Sequence, residues 1–222
     1  MEQERFAKTF WADYSAFDEK KLIECLPKMD EGRASRIARA ARTETKCELL
    51  ASGLIVRESL SRVFGIENPT FTVGEYGKPE LTDHPDVYFN LSHSKGTVAC
   101  TVSNVPCGLD IEHIEQPKHM EQIVNQFFSN FERGAILLSA EPAEAFLRLW
   151  TLRESYVKMR GTGFATGLST LSCSFPTGEA RIAESGVVQE DASFTEMRNI
   201  YGWRAAICTK GKVKHTCEKI AL

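Results

Sequence analysis

Three acidic side chains and one lysine occur at spacings that suit chemistry on a phosphate group. Asp110 and Glu112 are two residues apart, so an extended strand would point both carboxylates to one face. Glu154 and Lys158 are four residues apart, which places them one turn apart on a helix. If strand and helix meet, the carboxylates suit Mg²⁺ and the ammonium offsets phosphate charge. The pattern predicts phosphoryl-transfer chemistry.

The same four residues also have a purely structural interpretation. A Glu and a Lys at this spacing commonly form a solvated helix surface. The setting favours function, however, because Asp110 and Glu112 lie in the largely apolar segment V-P-C-G-L-D-I-E. Glu154 lies on a helix that also carries Trp150 and Tyr156. Charges on elements that are expected to be buried need a partner or a metal ion.

Composition bounds the class of protein. The chain has 222 residues, of which 42% are hydrophobic and 26% are charged, as in ordinary globular proteins. No segment approaches the roughly 20 continuous apolar residues of a membrane span. The first eleven residues, M-E-Q-E-R-F-A-K-T-F-W, contain no apolar signal region, so we expect a cytoplasmic protein without a membrane partner.

Cysteines and charge exclude further classes. The seven cysteines are odd in number and include no C-x-x-C pair, so neither a disulfide framework nor a zinc cluster is expected. A net charge of −3 argues against nucleic-acid binding. One helical stretch is nonetheless basic, and it fits either a solvated helix face or a phosphate-binding surface. Its basic residues are Arg33, Arg36, Arg39, Arg42 and Lys46.

Periodicity and breaker residues predict an α+β chain. The expected order is helix, strands, helix and strands again, which suggests two α+β halves joined near residues 104–108. A ligand site at the seam between two such halves would be a usual location. The predicted helices cover residues 28–64, Met120–Phe128 and Ala143–Met159. The predicted strands are Thr70–Val73, Val87–Leu91, Thr97–Val102, Leu109–Ile111 and Tyr201–Thr209.

Several segments together resemble one family. F-N-L-S-H-S at Phe89–Ser94, G-L-D-I-E at Gly108–Glu112 and L-W-T-L-R-E-S-Y-V-K at Leu149–Lys158 are similar to signature segments of the 4′-phosphopantetheinyl transferases. E-Y-G-K-P at Glu75–Pro79 and F-F-S at Phe127–Ser129 add two further matches in the same order. The total length resembles the larger, monomeric type that activates peptide synthetases.

The resemblance implies a fold and an activity. The fold would consist of two similar α+β halves that form a pseudo-dimer with the active site at the seam. Residues 1–105 would recognise the adenine and 3′-phosphate of coenzyme A, and residues 106–222 would carry the metal ligands and the catalytic helix. Members transfer the 4′-phosphopantetheine arm of coenzyme A to a serine of an apo carrier protein, with Mg²⁺ or alternatively Mn²⁺, and release adenosine 3′,5′-bisphosphate.

The resemblance also implies roles for individual residues. Either Glu154 or a metal-bound water would be the base, and the sequence does not decide between them. Lys158 would bind the pyrophosphate. The implied metal ligands are Asp110, Glu112 and Glu154. The implied coenzyme A contacts are Arg33 and Arg36 at the 3′-phosphate, Lys78 and Pro79 near the adenine and 3′-phosphate, Ser92 and His93 at the phosphates, and Asp110 and Lys158 at the pyrophosphate.

The sequence also contains candidate residues for docking a carrier protein and is compatible with two other functions. Docking candidates are Met120, Ile123, Phe127 and Phe164, although an amphipathic helix that faces its own core fits the first three equally well. A metal-dependent phosphohydrolase would use the same carboxylates but leaves F-N-L-S-H-S and G-K-P unexplained. A non-catalytic module that binds coenzyme A or a carrier would be marked by loss of a metal ligand or of Lys158, and all four residues are present.

Overall fold

The protein has an α+β fold. The structure is a computed structural model that describes residues 4–163, 167–197 and 200–222. The first half of the chain contains three helices and five strands, with a 3₁₀ turn at Leu26–Lys28. In chain order these elements are β1 (Phe6–Asp13), α1 (Glu19–Cys25), α2 (Glu31–Arg39), α3 (Thr43–Phe64), β2 (Phe71–Val73), β3 (Pro79–Leu81), β4 (Tyr88–Ser94) and β5 (Thr97–Ser103).

The second half contains three helices and seven strands among its described residues, with a 3₁₀ turn at Leu168–Thr170. In chain order these elements are β6 (Cys107–His113), α4 (Met120–Phe127), α5 (Asn130–Leu137), α6 (Pro142–Arg160), β7 (Leu171–Ser174), β8 (Arg181–Glu184), β9 (Val187–Val188), β10 (Ala192–Met197), β11 (Trp203–Lys210) and β12 (Lys214–Lys219).

Local sequence explains the two long helices. Gly65 ends α3 and Gly161 ends α6, and both glycines have left-handed backbones with φ of 68° and 69°. A left-handed residue after the last turn is the usual way in which a helix ends, and glycine adopts it without strain. Pro142 opens α6 at a position where a missing N–H costs nothing.

Two larger sheets and two small ones organise the strands. The four-stranded sheet has the order β12-β1-β5-β4, and the three-stranded sheet has the order β10-β11-β6. Strand β1 pairs antiparallel with β5 and parallel with β12, whereas β11 pairs antiparallel with both β10 and β6. Strands β2–β3 and β7–β8–β9 form the small sheets.

The same order of elements occurs twice along the chain. In each half a strand is followed by helices that end in a long one, then by a small sheet and two antiparallel strands. The first strand of each half pairs with the last of these two, β1 with β5 and β6 with β11. The junction predicted near residues 104–108 falls between β5 and β6. Strand β12 then returns to the first sheet.

Each half has its own hydrophobic core, and a third cluster joins them. In the first core, α3 packs on the four-stranded sheet through buried residues such as Leu50, Ile55 and Phe89. In the second core, α6 packs on the three-stranded sheet and on α4 and α5. The third cluster lies between the two larger sheets and includes Ala99 and Leu109. The α+β expectation is confirmed.

Six of the seven cysteines are buried. Burial raises the pKa of the Cys100 and Cys107 thiols to about 12, so neither is a reactive thiolate near neutral pH. In the described part of the chain, no helix is both long enough and apolar enough to cross a membrane.

One predicted helix is wrong, and several elements of the structure were not predicted. The helix predicted over residues 28–64 is interrupted, because Ala40 and Arg42 have extended backbones with ψ of 131° and 139°. The break lets α2 fold against α3 and bury Ile37. Strand β1 and helices α1 and α5 have no counterpart among the predicted elements. For β1, the alternation within F-A-K-T-F-W-A-D carried a usable strand signal.

Candidate active site

Strand β6 and helix α6 touch along their backbones, as the placement of the acidic residues requires. Gly108 makes the contact possible: a Cβ there would clash with the main-chain oxygen of Ser155 and the main-chain nitrogen of Met159. Only glycine allows so close an approach of strand to helix. As a result, Asp110 on β6 lies within reach of Lys158 on α6.

Asp110 is the buried centre of the site. Only 3% of the residue is exposed. Its Oδ1 accepts a hydrogen bond from Lys158 Nζ at 2.6 Å and one from Ser92 Oγ at 3.1 Å. Its Oδ2 is buried and has no hydrogen-bond partner in the described part of the chain. An orphaned carboxylate oxygen in such a place is costly and marks a position for a cation or a donor.

The negative charge of Asp110 contributes to raised pKa values at the other two predicted metal ligands, Glu112 and Glu154. The pKa of Glu112 is raised, first by burial and then by the negative charge of Asp110. The pKa of Glu154 is raised by the same two causes in the same order, and Lys158 opposes the rise in both. Like charges that disfavour one another's ionisation are a typical sign of a functional site. A bound cation would relieve this repulsion.

The donors fit a hard divalent cation in their chemistry. Mg²⁺ and Mn²⁺ prefer carboxylate oxygens, and the site offers three carboxylates, one with an unpaired buried oxygen. Within residues 4–163, 167–197 and 200–222, no three His, Cys, Asp or Glu side chains are already gathered closely enough to hold a metal ion. The assignment of Asp110, Glu112 and Glu154 as metal ligands therefore stays a prediction.

A ladder of side chains joins β4 to β6 across the seam. Alternate residues of β4 accept hydrogen bonds from alternate main-chain N–H groups of β6, in place of ordinary strand pairing. We call these three bonds the seam ladder. They run from Leu109 N to Asn90 Oδ1 (2.8 Å), from Ile111 N to Ser92 Oγ (3.3 Å) and from His113 N to Ser94 Oγ (3.1 Å).

The seam ladder also reaches the carboxylates. Ser92 Oγ contacts Asp110, and Ser94 Oγ donates to Glu112 Oε2 at 3.0 Å. Lys158 Nζ lies 3.2 Å from Ser92 Oγ, which completes a cluster of Ser92, Asp110 and Lys158. The described contacts of Ser92 Oγ are thus with groups of the protein itself, namely Ile111 N, Asp110 and Lys158. Its predicted contact with a coenzyme A phosphate stays a prediction.

Lys78 holds the β2–β3 hairpin against the end of α6. Its Nζ donates to the main-chain oxygens of Lys158 at 2.7 Å and Cys107 at 3.1 Å. Burial lowers the pKa of Lys78. A cation suits the carbonyls at a helix C-terminus, so the ammonium has a structural role here. Its predicted place beside adenine and the 3′-phosphate is not tested by these contacts.

A cavity of about 300 Å³ opens beside these groups. It brings together four of the predicted site residues, Lys78, Pro79, Glu154 and Lys158, from the hairpin and from α6. Its size is at the lower end of the range for small-molecule sites. The remaining lining residues are Tyr76, Gly77, Asn90, Leu91, Val157, Gly161, Gly163 and Leu168.

His93 faces away from the seam ladder. Its Nδ1 lies 3.4 Å from Glu48 Oε2 on α3, and the Tyr14 hydroxyl donates to the same oxygen at 3.3 Å. Burial, followed by the charge of Glu48, raises the pKa of Tyr14 to about 12. Glu48 lies two residues after Lys46, the last residue of the basic stretch, and it pairs with the predicted ligand His93.

Arg33 and Arg36 lie on α2, outside the set of residues that lines the cavity. Arg33 Nη1 donates to the main-chain oxygen of Leu49 on α3 at 3.3 Å. Burial, and then the neighbouring charge of Arg36, lowers the pKa of Arg33. The two guanidinium groups are therefore close to one another, and their role at the 3′-phosphate remains a prediction.

The docking candidates on α4 belong to a core. Met120 is 6% exposed, and Ile123 and Phe127 pack against the second core. The expectation of an exposed apolar surface on this helix is wrong for Met120, since that helix turns its apolar face inward. Phe164 lies outside the described residues.

Sequence reasoning missed Asn90, Ser94 and Glu48. Asn90 and Ser94 flank Ser92 at two-residue spacing, so alternation within F-N-L-S-H-S placed all three on one face. That signal was available in the sequence. No local signal paired Glu48 with His93, because the two residues are 45 positions apart on different elements.

Comparison with known proteins agrees with the geometry. The model of the 4′-phosphopantetheinyl transferase superfamily matches residues 106–208, a range that contains Asp110, Glu112, Glu154 and Lys158. AcpT, a 4′-phosphopantetheinyl transferase of Salmonella typhi, is 32% identical over 146 residues, which are 64% of this chain and 72% of that protein. The chain belongs to the 4′-phosphopantetheinyl transferase superfamily, and the resemblance inferred from its motifs is confirmed.

Other relatives match a shorter part. The 4′-phosphopantetheinyl transferase Sfp of Bacillus subtilis is 35% identical over 127 residues, 55% of this chain and 56% of that protein. The transferase gsp of Aneurinibacillus migulanus is 40% identical over 118 residues, 51% of this chain and 48% of that protein. The chain thus spans about half the length of these relatives.

One solved structure shows a weaker likeness. The holo-[acyl-carrier-protein] synthase of Thermotoga maritima superposes with a TM-score of 0.39 and 17% identity. The superposition covers 49% of this chain and 64% of that one. A likeness at this level adds nothing to the family assignment.

Proposed function

We propose that this protein transfers the 4′-phosphopantetheine arm of coenzyme A to a serine of an apo carrier protein. The observation that carries the proposal is the cluster of Asp110, Lys158 and Ser92 beside a cavity that Glu154 also lines. Family membership supports the same activity. The serine nucleophile comes from the partner.

The site residues have different roles in the proposed reaction. The carrier hydroxyl attacks the pantetheine-bearing phosphorus, a new P–O bond forms, and the bond to the leaving adenosine 3′,5′-bisphosphate breaks. The hydroxyl proton goes to Glu154 or to a water. Lys158, at the cavity wall, offsets negative charge on the pyrophosphate.

A divalent cation completes the proposal. Asp110, Glu112 and Glu154 would hold Mg²⁺, with Mn²⁺ as the alternative, and such an ion would supply further charge neutralisation at the pyrophosphate. The unpaired Oδ2 of Asp110 and the raised pKa values of Glu112 and Glu154 support this assignment. Until an ion binds, Lys158 partly compensates the charge of Asp110.

The halves of the chain receive separate roles in the proposal. Residues 1–105 contribute Lys78 and Pro79 to recognition of the adenine end and Ser92 and His93 to the coenzyme A phosphates, with Arg33 and Arg36 as the predicted 3′-phosphate pair. Residues 106–222 contribute the carboxylates and Lys158. The repeated order of elements supports this division. The protein would act as a monomer in the cytoplasm, where coenzyme A and apo carriers are found.

The two alternatives fit less of the molecule. A metal-dependent phosphohydrolase would explain the carboxylates but not the seam ladder residues or the hairpin that carries Lys78. A non-catalytic binding module has no need of the closely held Lys158 and Asp110 pair.

The test is the intact mass of an apo carrier protein after incubation with this protein, coenzyme A and Mg²⁺, with EDTA in a parallel reaction. A gain of one phosphopantetheine arm that EDTA prevents supports the proposal. Coenzyme A binding without any gain on fatty-acid, polyketide and peptide-synthetase carriers would favour the binding module. Hydrolysis of coenzyme A without carrier modification would favour the phosphohydrolase.

A further inference from the structure

Ser94, the last residue of β4, makes two hydrogen bonds across the seam to β6. Its Oγ accepts the main-chain N–H of His113 at 3.1 Å and lies 3.0 Å from Glu112 Oε2. Because an ionised carboxylate only accepts, the serine proton must point to Glu112. One hydroxyl therefore joins the end of β4, the backbone of β6 and a carboxylate of the proposed metal site.

The backbone at Ser94 is well held. Ser94 pairs with Thr97 across a two-residue turn formed by Lys95 and Gly96, whose φ angles are 44° and 82°. Such a turn matches the twist of the strands it connects and fixes their register. The hydroxyl of Ser94 is thus presented from a rigid position and not from a mobile loop.

The hydroxyl of Ser94 engages the side chain of Glu112 directly, through a hydrogen bond of 3.0 Å to Oε2. The side chain of Glu112 has several rotatable bonds, so without a partner it would sample many orientations. With Oε2 engaged by Ser94, its other oxygen is left for a ligand.

We propose that Ser94 is a positioning residue that holds Glu112 in the orientation in which it binds a divalent cation. Ser92 has the corresponding relation to Asp110 one step along the seam ladder, although Lys158 contacts both of those residues. Among the described contacts, Lys158 forms no hydrogen bond with Ser94 or Glu112. The effect of the Ser94 hydroxyl on the orientation of Glu112 can therefore be measured separately. The inference rests on the proposed function, since Glu112 is a metal ligand only within it.

Groups that orient metal ligands usually alter metal affinity about 10- to 100-fold when removed. Ser94→Ala should therefore weaken divalent-cation binding by roughly tenfold or more. Ser94→Thr keeps the hydroxyl and should bind as the wild type does. Ser94→Val has nearly the shape of the threonine variant but lacks the hydroxyl, so it should bind as weakly as Ser94→Ala and replaces that variant if it fails to fold.

Asn90→Ala is the matched control on the same ladder. It removes the bond to Leu109 N and touches none of the three carboxylates. It tests whether general loosening of the seam, and not the orientation of Glu112, changes metal affinity. Thermal unfolding of all the variants gives the accompanying change in stability.

The experiment titrates Mn²⁺ into each protein with coenzyme A present and follows free Mn²⁺ by electron paramagnetic resonance, with a coenzyme A blank. Weaker binding in Ser94→Ala and Ser94→Val, with near-wild-type binding in Ser94→Thr and Asn90→Ala, supports the proposal. Wild-type affinity in Ser94→Val, or an equal loss in Asn90→Ala, overturns it while the proposed function stands. Absence of Mn²⁺ binding by the wild type overturns the metal part of the proposed function as well.

Discussion

Asp110 shows how one buried carboxylate organises its neighbours. It uses one oxygen for Lys158 and Ser92, leaves the other without a partner, and raises the pKa of both Glu112 and Glu154. A buried, repelling set of acids costs stability, and such a cost is common where a site must bind a cation. Single-residue changes here should therefore alter chemistry far more than folding.

Glu154→Gln should lower the rate of transfer by about a hundredfold or more, because it removes both a metal ligand and a candidate base. Thermal stability should be maintained or increased, since a carboxylate with a raised pKa becomes a neutral amide. Glu144→Gln is the control on the same helix, where Glu144 pairs with Arg204 outside the cavity. The measurement is the initial rate of carrier modification by intact mass. Full activity of Glu154→Gln would remove this residue from the mechanism.

Glu48→Gln should raise the KM for coenzyme A severalfold and leave kcat nearly unchanged. The reason is that Glu48 engages Nδ1 of His93 and so sets the orientation of a ring that is predicted to meet a coenzyme A phosphate. Glu58→Gln, on the exposed side of the same helix, provides the comparison. Steady-state kinetics with coenzyme A as the varied substrate is the measurement. Equal KM values in the two variants would contradict the role of Glu48.

At the scale of elements, two different kinds of contact set the position of α6. On one side the backbone of β6 fits closely against the helix at Gly108. On the other side Arg153 and Glu132 form an ion pair whose side chains are 1% and 2% exposed. Glu132 also accepts from Ser129 and from Cys173 N, so the pair connects α5, α6 and β7. Both contacts hold in place the helix that carries Glu154 and Lys158.

Gly108→Ala should destabilise the protein by about 1–3 kcal/mol, because a Cβ there overlaps the α6 backbone and must push strand and helix apart. It should also lower activity, since Asp110 moves with the strand. Gly134→Ala, on α5 with open space around it, should instead stabilise by about 0.5–1 kcal/mol. Urea unfolding of both variants measures the difference. A Gly108→Ala protein as stable as Gly134→Ala would show that the contact is not close.

Arg153→Met should cost about 3–5 kcal/mol, because it leaves Glu132 as an unpaired buried charge. Adding Glu132→Gln should recover part of the loss, since the amide removes the buried charge while its one oxygen can still accept from Cys173 N. The exposed pair of Arg62 and Glu58 is the reference, and Arg62→Met should cost less than about 1 kcal/mol. Denaturant titration of these variants and the wild type gives the free energies of unfolding that are compared. A double variant less stable than Arg153→Met alone would refute the explanation.

At the scale of the whole molecule, the C-terminal strand completes the first sheet. Strand β12 lies parallel to β1, and His215 on it contacts Thr9, which in turn contacts Thr101 on β5. Burial lowers the pKa of His215 to about 4. The strand therefore joins the end of the chain to its beginning through a neutral histidine, and the sheet should weaken when that histidine is protonated.

The stability of the protein should fall as the pH drops from about 6.5 to about 4. The unfolded chain binds a proton at His215 near its ordinary pKa of 6.5, whereas the folded chain resists protonation until about 4. The unfolded state therefore holds more protons within this window, and acid favours it by on the order of 3 kcal/mol. The raised pKa values of Glu112 and Glu154 act in the opposite direction as the pH falls.

His215→Gln isolates this contribution, because glutamine can still bond to Thr9 but does not titrate. The variant should lose less stability than the wild type between pH 6.5 and pH 4, as measured by thermal unfolding at several pH values. Parallel pH profiles for the two proteins would show that His215 does not cause the acid sensitivity.

The sequence by itself identified the residues of the candidate site and predicted their chemistry. The two-residue spacing of Asp110 and Glu112 and the four-residue spacing of Glu154 and Lys158 follow from strand and helix periodicity, which are local properties. The main helices and strands, the α+β class and the family were readable for the same reason. The Lys158 contact with Asp110 required only that the strand and the helix meet.

Only the tertiary structure decided which groups hold these residues in place. The seam ladder, the pairing of Glu48 with His93 and the engagement of Lys78 by main-chain oxygens all join segments far apart in the chain. The break between α2 and α3 and the return of β12 to β1 are of the same kind. Long-range contacts depend on how whole elements pack, and local periodicity carries no information about the partner that each element will meet.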